Sequence, residues 1–303
     1  MLRYRILSGL GLTIAVVLVF WLDSRLESWT LPGAWSELFA GRATLPPGLL
    51  ILLATLVIAP LAARELCAIF RANQTSATVW LTSLSAMAGA TALYLTLMSG
   101  SALHAVATLA SVLIGCFVLS LVWHIRGAQV QGAVSAAGAT ALSAIYLGLL
   151  PGFFPLMRHR HSAWLVLGVL LITKAADIGA YAAGKAAGRH KLIPWLSPGK
   201  TWEGLCGGIA LSMLVAAGFA WLSGRFSDEL QTPAYSPIHA ALFGAVLAIV
   251  GLVGDLTMSL FKRDAGLKDS GAMLPGMGGI LDVLDSPLLA GPAAFWMLEL
   301  WAG

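Results

Sequence analysis

Residues 241–258 read ALFGAVLAIVGLVGDLTM, a run in which Asp255 is the single ionisable side chain. A helix this uniformly apolar has no polar face to offer water. At 1.5 Å per residue, about 20 such residues cross the roughly 30 Å of a bilayer's hydrocarbon core. Comparable runs recur at 4–21, 48–63, 79–98, 104–123, 132–150, 162–183, 204–222, 238–261 and 286–301. The spacing predicts an all-α, polytopic integral membrane protein with about nine transmembrane helices.

Composition agrees with that reading. Hydrophobic residues make up 58% of the 303 positions, and the mean hydropathy is +0.85. A soluble fold must cover itself with polar surface, which this chain lacks. The first apolar run follows Arg3 and Arg5 but has no small-residue cleavage site behind it, so it is expected to stay as a helix. Cys67, Cys116 and Cys206 show no paired spacing and are expected to be packing residues.

Counting basic residues between the runs orients the chain. With the N-terminus in the cytoplasm, Arg64, Arg71, Arg126, Lys185, Arg189, Lys191 and Lys200 all fall on the cytoplasmic side. The opposite loops hold Asp23, Glu27, Glu37, Asp228 and Glu229 together with Arg25, Arg42 and Arg225. Arg158 and Arg160 run against this pattern.

No linker or repeat divides the chain, so 1–303 is expected to be a single membrane domain. Its character nonetheless changes along its length. Residues 1–150 are bland Ala, Leu and Val helices of scaffold type, whereas ionisable residues enter the spans and loops of 162–286. The two charged loops, 184–202 and 262–285, are separated by two spans and so emerge on the same face.

Charge is scarce, at 11% of residues against about a quarter in soluble proteins, which makes its location informative. Lys174, Asp177 and Tyr181 recur at helical spacing on one face of a span, either as part of a site or as an ion pair that locks helices. The loop GKAAGRHKLIPWLSPGKTWEG (184–204) offers Lys185, Arg189, Lys191 and Lys200 among glycines, with a helix starting near Thr201. Such a loop can cradle phosphate at a helix N-terminus or rest on anionic headgroups. It lacks the upstream glycine of a P-loop, because Pro194 stands there. Following the opening run, 259–286 reads SLFKRDAGLKDSGAMLPGMGGILDVLDS, with three cations and four carboxylates. Asp255 and Asp282 could share a hard cation such as magnesium, which takes one or two carboxylates together with phosphate oxygens. Lys262, Arg263 and Lys268 could hold those phosphates, although a solvated charge run remains the plain alternative.

At these residues the chain resembles the phosphatidate cytidylyltransferases, or CDP-diacylglycerol synthases, whose pattern runs S-x-x-K-R-x-x-x-x-K-D, P-G-H-G-G, D-R-x-D. Ser259, Lys262, Arg263, Lys268, Asp269, Pro275, Gly276, Gly278, Gly279, Asp282 and Asp285 fall in register. The upstream SPGKTWEG and DIGAYAAGK also resemble family motifs, so the likeness covers about 174–286. Met277 replaces the family His and Val283 the Arg after the first Asp, and His190 is a candidate replacement proton donor.

The resemblance implies a membrane enzyme that converts CTP and phosphatidic acid to CDP-diacylglycerol and pyrophosphate with Mg2+ and room for a second cation. It implies catalytic roles for Asp255, Asp282, Lys262, Arg263, Lys268 and Asp269, with Asp255 and Asp282 as metal ligands. Substrate binding would fall to Asp177, Tyr181, Lys185, Ser197, Lys200, Thr201, Glu203, Gly278, Gly279 and Asp285. The partners expected are the two substrates, the lipid bilayer and a homodimer mate, with no nucleic acid. The expected location is the bacterial inner membrane, with the active site facing the cytoplasm. The alternatives are a CTP-dependent enzyme acting on another membrane lipid, or a transporter.

Overall fold

The computed structural model describes residues 2–32, 36, 42–98, 101–127, 130–225 and 236–302. Glu37, Asp228 and Glu229, used above to orient the chain, lie outside the described residues. Among the described residues nine helical rods match the nine apolar runs in order. They are α1 (Leu2–Leu26), α2 (Leu49–Ala72), α3 (Val79–Leu95), α4 (Ala102–Arg126), α5 (Ala133–Arg160), α6 (Ala163–Ala187), α7 (Trp202–Arg225), α8 (Pro237–Asp264) and α9 (Leu281–Ala302). Seven of these are long and apolar enough to cross a membrane: α1, α2 and α4 to α8. The chain divides into two compact units, 1–160 with 264–282 and 161–263 with 283–303.

The first unit holds α1 to α5 and the segment 264–282. Small residues set its packing. A Cβ on Gly148 would lie 2.5 Å from the Ala86 carbonyl oxygen, and one on Gly89 would run into the Ala144 carbonyl, so α3 and α5 touch backbone to backbone. Membrane helices associate through such close approaches, because lipid tails already satisfy apolar side chains. At this crossing α5 loosens into a π-helical stretch, Ala144–Leu149. Thr140 Oγ1 donates to Ser120 Oγ at 3.2 Å and ties α5 to α4.

The Arg158 exception to the charge pattern has a structural cause. Its guanidinium is buried and pairs with Asp23 at 2.7 Å and with Glu27. Asp23 also accepts from the backbone N–H groups of Gly48 and Leu50, at 3.3 and 3.2 Å. Arg158 is thus a neutralised tie between α1 and α5, and it carries little weight as a free topological charge.

The second unit holds α6, a short hairpin, α7, α8 and the rest of α9. A Cβ on Gly179 would meet the Gly207 carbonyl at 2.6 Å, and one on Gly208 the Ala176 carbonyl at 2.8 Å. This glycine and alanine seam presses α6 onto α7. Ser212 Oγ on α7 lies 2.7 Å from the Gly244 carbonyl of α8 and 3.2 Å from the Ile172 carbonyl of α6, which joins three helices at one hydroxyl. Gly251 and Gly254 let α8 lie close against Asp285 and Ser286 of α9.

Two differences from the sequence reading concern its charged loops. The segment 184–202 is not irregular throughout: strands β1 (Lys191–Ile193) and β2 (Ser197–Thr201) pair antiparallel, with Lys191 opposite Thr201 and Ile193 opposite Ser197. The flanking helices also reach further than the apolar runs do, so Lys185 lies in the last turn of α6 and Lys262 and Arg263 in the last turn of α8. Cations suit helix C-termini, where carbonyl dipoles point outward.

Candidate active site

In the second unit a cleft of about 410 Å³ is lined by Asp177 and Tyr181 of α6, Ser197, Gly199, Lys200 and Thr201 of β2, and Asp255 of α8. Ala176, Leu205, Ala248 and Leu252 supply apolar wall. The volume falls within the range of about 300–1,000 Å³ usual for ligand pockets.

The hairpin holds its residues in the cleft through the start of α7. Thr201 Oγ1 accepts from the Gly204 N–H at 3.1 Å, capping the helix. One residue inside the helix, Glu203 accepts from the N–H groups of Arg189 and His190, at 3.1 and 3.2 Å, and contacts His190 Nδ1 at 2.6 Å. Glu203, expected as a substrate ligand, here clamps the turn that leads into β1. His190, the candidate replacement donor, is its partner. The positive end of α7 therefore opens beside Lys200.

Lys200 Nζ lies 2.8 Å from Asp255 Oδ2, with only 17% of the lysine side chain exposed. The ammonium is enclosed and makes no other polar contact among the described residues. An ammonium has three donors, so this one keeps bonding capacity for an anion. Ser259 Oγ approaches Asp255 Oδ1 at 3.4 Å. On α6, Lys174 Nζ lies 2.9 Å from Asp177 Oδ2, while Asp177 Oδ1 accepts from Ser286 Oγ of α9 at 3.1 Å. Asp285 lies in the field of Asp255, Lys174 and Asp177. The Lys174–Asp177 pair lies within α6, and Asp177 in addition ties α6 to α9 through Ser286 and borders the cleft. Tyr181 is 71% exposed at the cleft, with the Lys185 ammonium 5.8 Å from its ring centroid. The Arg263 guanidinium Nε reaches the Leu196 carbonyl at 3.5 Å, tying the hairpin to the end of α8.

The carboxylates of Asp177, Asp255 and Asp285 supply oxygen donors of the kind a hard cation takes, and Lys174 and Lys200 neutralise part of their charge. Among the described residues no three His, Cys, Asp or Glu side chains are arranged to hold an ion unaided. A magnesium ion here would take one or two carboxylates and draw its remaining ligands from phosphates and water.

Asp282, Gly278, Gly279, Lys268 and Asp269 belong to the first unit. The LPGMGG stretch is a tight turn: Met277 N–H donates to the Leu274 carbonyl at 3.0 Å, Pro275 and Gly276 occupy the middle, and Gly276 has φ +80°. This is the type II pattern, which needs a positive φ at its third position. Gly278, with φ +94°, follows. Asp282 Oδ2 accepts from the N–H groups of Ser270 and Gly279 at 3.0 and 2.9 Å and lies 3.0 Å from Ser270 Oγ. The expected pair Asp255 and Asp282 is divided between the two units, and the carboxylate that accompanies Asp255 in its own unit is Asp285. Lys268 and Asp269 are exposed.

Sequence reasoning missed Glu65, on the supposedly bland α2. It is 6% exposed and accepts from Ile280 N–H at 2.8 Å, Leu281 N–H at 3.0 Å and Ser270 Oγ at 2.8 Å. A lone carboxylate within an apolar run is costly, and that signal was present in ARELCAIF.

Residues 29–301 match the family model described as the cytidylyltransferase family. The phosphatidate cytidylyltransferase of Pseudomonas aeruginosa is 42% identical over 139 residues, 46% of this chain and 48% of that protein. The phosphatidate cytidylyltransferase of Synechocystis is 48% identical over 126 residues, 42% of this chain and 40% of that protein. An uncharacterized Escherichia coli protein, YnbB, is 38% identical over 172 residues, 52% of this chain and 54% of that protein. The chain spans about half the length of these curated relatives.

Proposed function

Because this chain belongs to the cytidylyltransferase family, we propose that it transfers the cytidylyl group of CTP to phosphatidic acid, giving CDP-diacylglycerol and pyrophosphate. The observation that carries this reading is the cleft where Lys200, Asp255 and the start of α7 meet beside apolar walls. Such a site has polar fittings for phosphates and apolar surface for a lipid.

In the proposed reaction an oxygen of the lipid phosphate attacks the α-phosphorus of CTP. A new P–O bond forms, the bond between the α-phosphorus and its bridging oxygen breaks, and pyrophosphate leaves with that electron pair. The nucleophile needs no strong base, since a phosphomonoester's second pKa is about 6. Catalysis then rests on positioning and on neutralising charge. Lys200, beside the positive end of α7, holds the triphosphate, while Asp255 orients Lys200. Lys262 and Arg263, in the last turn of α8, are proposed to offset repulsion between the two anionic substrates. Asp255, with Asp285 beside it in the same unit, is the proposed holder of a magnesium ion, which when bound would withdraw charge from the α-phosphate and the leaving group. The basic-residue count supports a cytoplasmic active site, and a bacterial inner membrane is the proposed location.

The test is to supply purified protein with α-labelled CTP and phosphatidic acid in detergent. Label in CDP-diacylglycerol, with one pyrophosphate released per turnover, is the expected result. Label appearing only with another lipid phosphate would reassign the acceptor, and no CTP-dependent lipid product would overturn the reading.

A further inference from the structure

Glu65 occupies an unusual place for a buried acid. It lies on α2, in the first unit, more than 200 positions in sequence from its partners, which all belong to the segment 264–282. Its two oxygens meet three donors: Oε1 takes Ile280 N–H, while Oε2 takes Leu281 N–H and faces Ser270 Oγ. The two N–H groups stand at the start of α9, where a helix has no carbonyls of its own to satisfy them. Glu65 thus caps α9 from another helix.

The same carboxylate also reaches Asp282 through Ser270. The Ser270 hydroxyl lies 2.8 Å from Glu65 Oε2 and 3.0 Å from Asp282 Oδ2. Space around this bridge is tight. A Cβ on Gly271 would come 2.7 Å from Glu65 Oε1, and one on Gly279 would collide with both Ser270 Oγ and Glu65 Oε2. A side chain at either position would have to displace the Glu65 carboxylate, so the glycines and the carboxylate form one interlocked arrangement.

We propose that Glu65 is a positioning residue of the reaction: through Ser270 and the N–H groups of Ile280 and Leu281, it fixes the orientation of Asp282 and of the PGMGG turn. This rests on the cytidylyltransferase reading for its functional half. Buried carboxylates that accept several hydrogen bonds set the geometry of the groups they hold. Outer-shell partners of this kind usually affect activity by about 10- to 100-fold. Glutamine at position 65 keeps the size but places an NH2 against groups that are themselves donors.

The test uses the full-length protein in detergent with Glu65→Gln, Ser270→Ala and the double variant. Hydrogen exchange is measured without substrate, so this arm holds whether or not lipid cytidylyl transfer is the reaction. Glu65→Gln is expected to speed exchange in 278–282 at least tenfold while α4 exchanges as in the wild type. Turnover of CTP with phosphatidic acid is expected to fall about 10- to 100-fold, with KM for CTP changing less than threefold. The double variant is expected to lose little more than the worse single variant, because the two residues act in one chain. Unchanged exchange in 278–282 would overturn the proposal. Faster exchange with wild-type turnover, or fully additive losses, would overturn the positioning role and leave a purely structural one. An inactive wild type would fault the substrate reading alone, with the exchange result still deciding whether Glu65 fixes the turn. Should Glu65→Gln fail to fold, Ser270→Ala, which keeps the carboxylate and removes the bridge, decides between the two roles by the same pair of measurements.

Discussion

Lys200 on β2 reaches across the cleft to Asp255 on α8, its Nζ 2.8 Å from Oδ2. The pair sets a cation and an anion at the mouth of α7, and neither residue can be altered without changing the charge presented to a phosphate. Lys200→Met removes the cation and leaves Asp255 with its remaining neighbour Ser259. Turnover is expected to fall about 10²–10³-fold, the usual cost of losing one group that stabilises developing charge. Asp255→Asn is expected to fall at least as far, with both variants eluting as folded protein in detergent. Near wild-type rates for either at saturating CTP and magnesium would remove this pair from the site.

Asp282→Asn separates orientation from charge. Its side-chain oxygen can still accept from Ser270 and Gly279, so the turn is expected to keep its hydrogen-exchange protection. Activity is expected to vanish, and added magnesium is expected not to restore it. A variant with normal magnesium-dependent turnover would make Asp282 a turn-former only.

Met277 stands where the resembled family has His, and its backbone N–H closes the turn on Leu274. The turn's geometry comes from Pro275 and Gly276, and the Met277 side chain lies over Gly9 of α1. Met277→His is therefore expected to change kcat less than threefold across pH 6 to 9. A gain in the range of about 10²–10⁴, with a new pH-dependent limb, would show that a proton donor at this position matters to the chemistry.

Gly276 takes φ +80°, where a Cβ costs about 1–2 kcal/mol. Gly276→Ala is expected to lower the thermal midpoint of the detergent-solubilised protein by several degrees and to raise exchange across 274–279. A variant as stable as the wild type, with normal exchange, would show that the turn tolerates another type.

The hairpin and the 264–282 segment are expected on the cytoplasmic side. In a Cys206→Ser background, Cys67 and Cys116 are buried, so new cysteines report without interference. Arg189→Cys and Lys268→Cys are expected to escape an impermeant thiol reagent in intact cells and to react once the membrane is opened. Labelling of either in intact cells would invert the topology.

Sequence patterns succeed where one physical quantity decides, and they fall short where distant segments must meet. Apolar length places seven of the nine rods as membrane spans, because hydrocarbon thickness leaves such a helix few alternatives. Residue spacing puts Lys174 and Asp177 on one face of α6, and they pair there. The hairpin was hidden because 191–201 has too few alternating residues for a strand signal, and its register depends on the cap at Thr201 and the clamp at Glu203. The cost of a carboxylate on α2 is legible in ARELCAIF, but the partners of Glu65 are not, because they lie beyond Asp264, a separation that no local pattern records.

That separation also bears on how the chain is made. At about 5–20 residues per second, the 205 positions between Glu65 and Ser270 take roughly 10–40 s to synthesise. Throughout that interval α2 is already built while none of the donors that satisfy its carboxylate exists. The half-made protein therefore passes through insertion with a polar group that the segment 264–282 later satisfies. Chains that end before Asp264 lack Ser270, Ile280 and Leu281, and with them all three of these donors to Glu65.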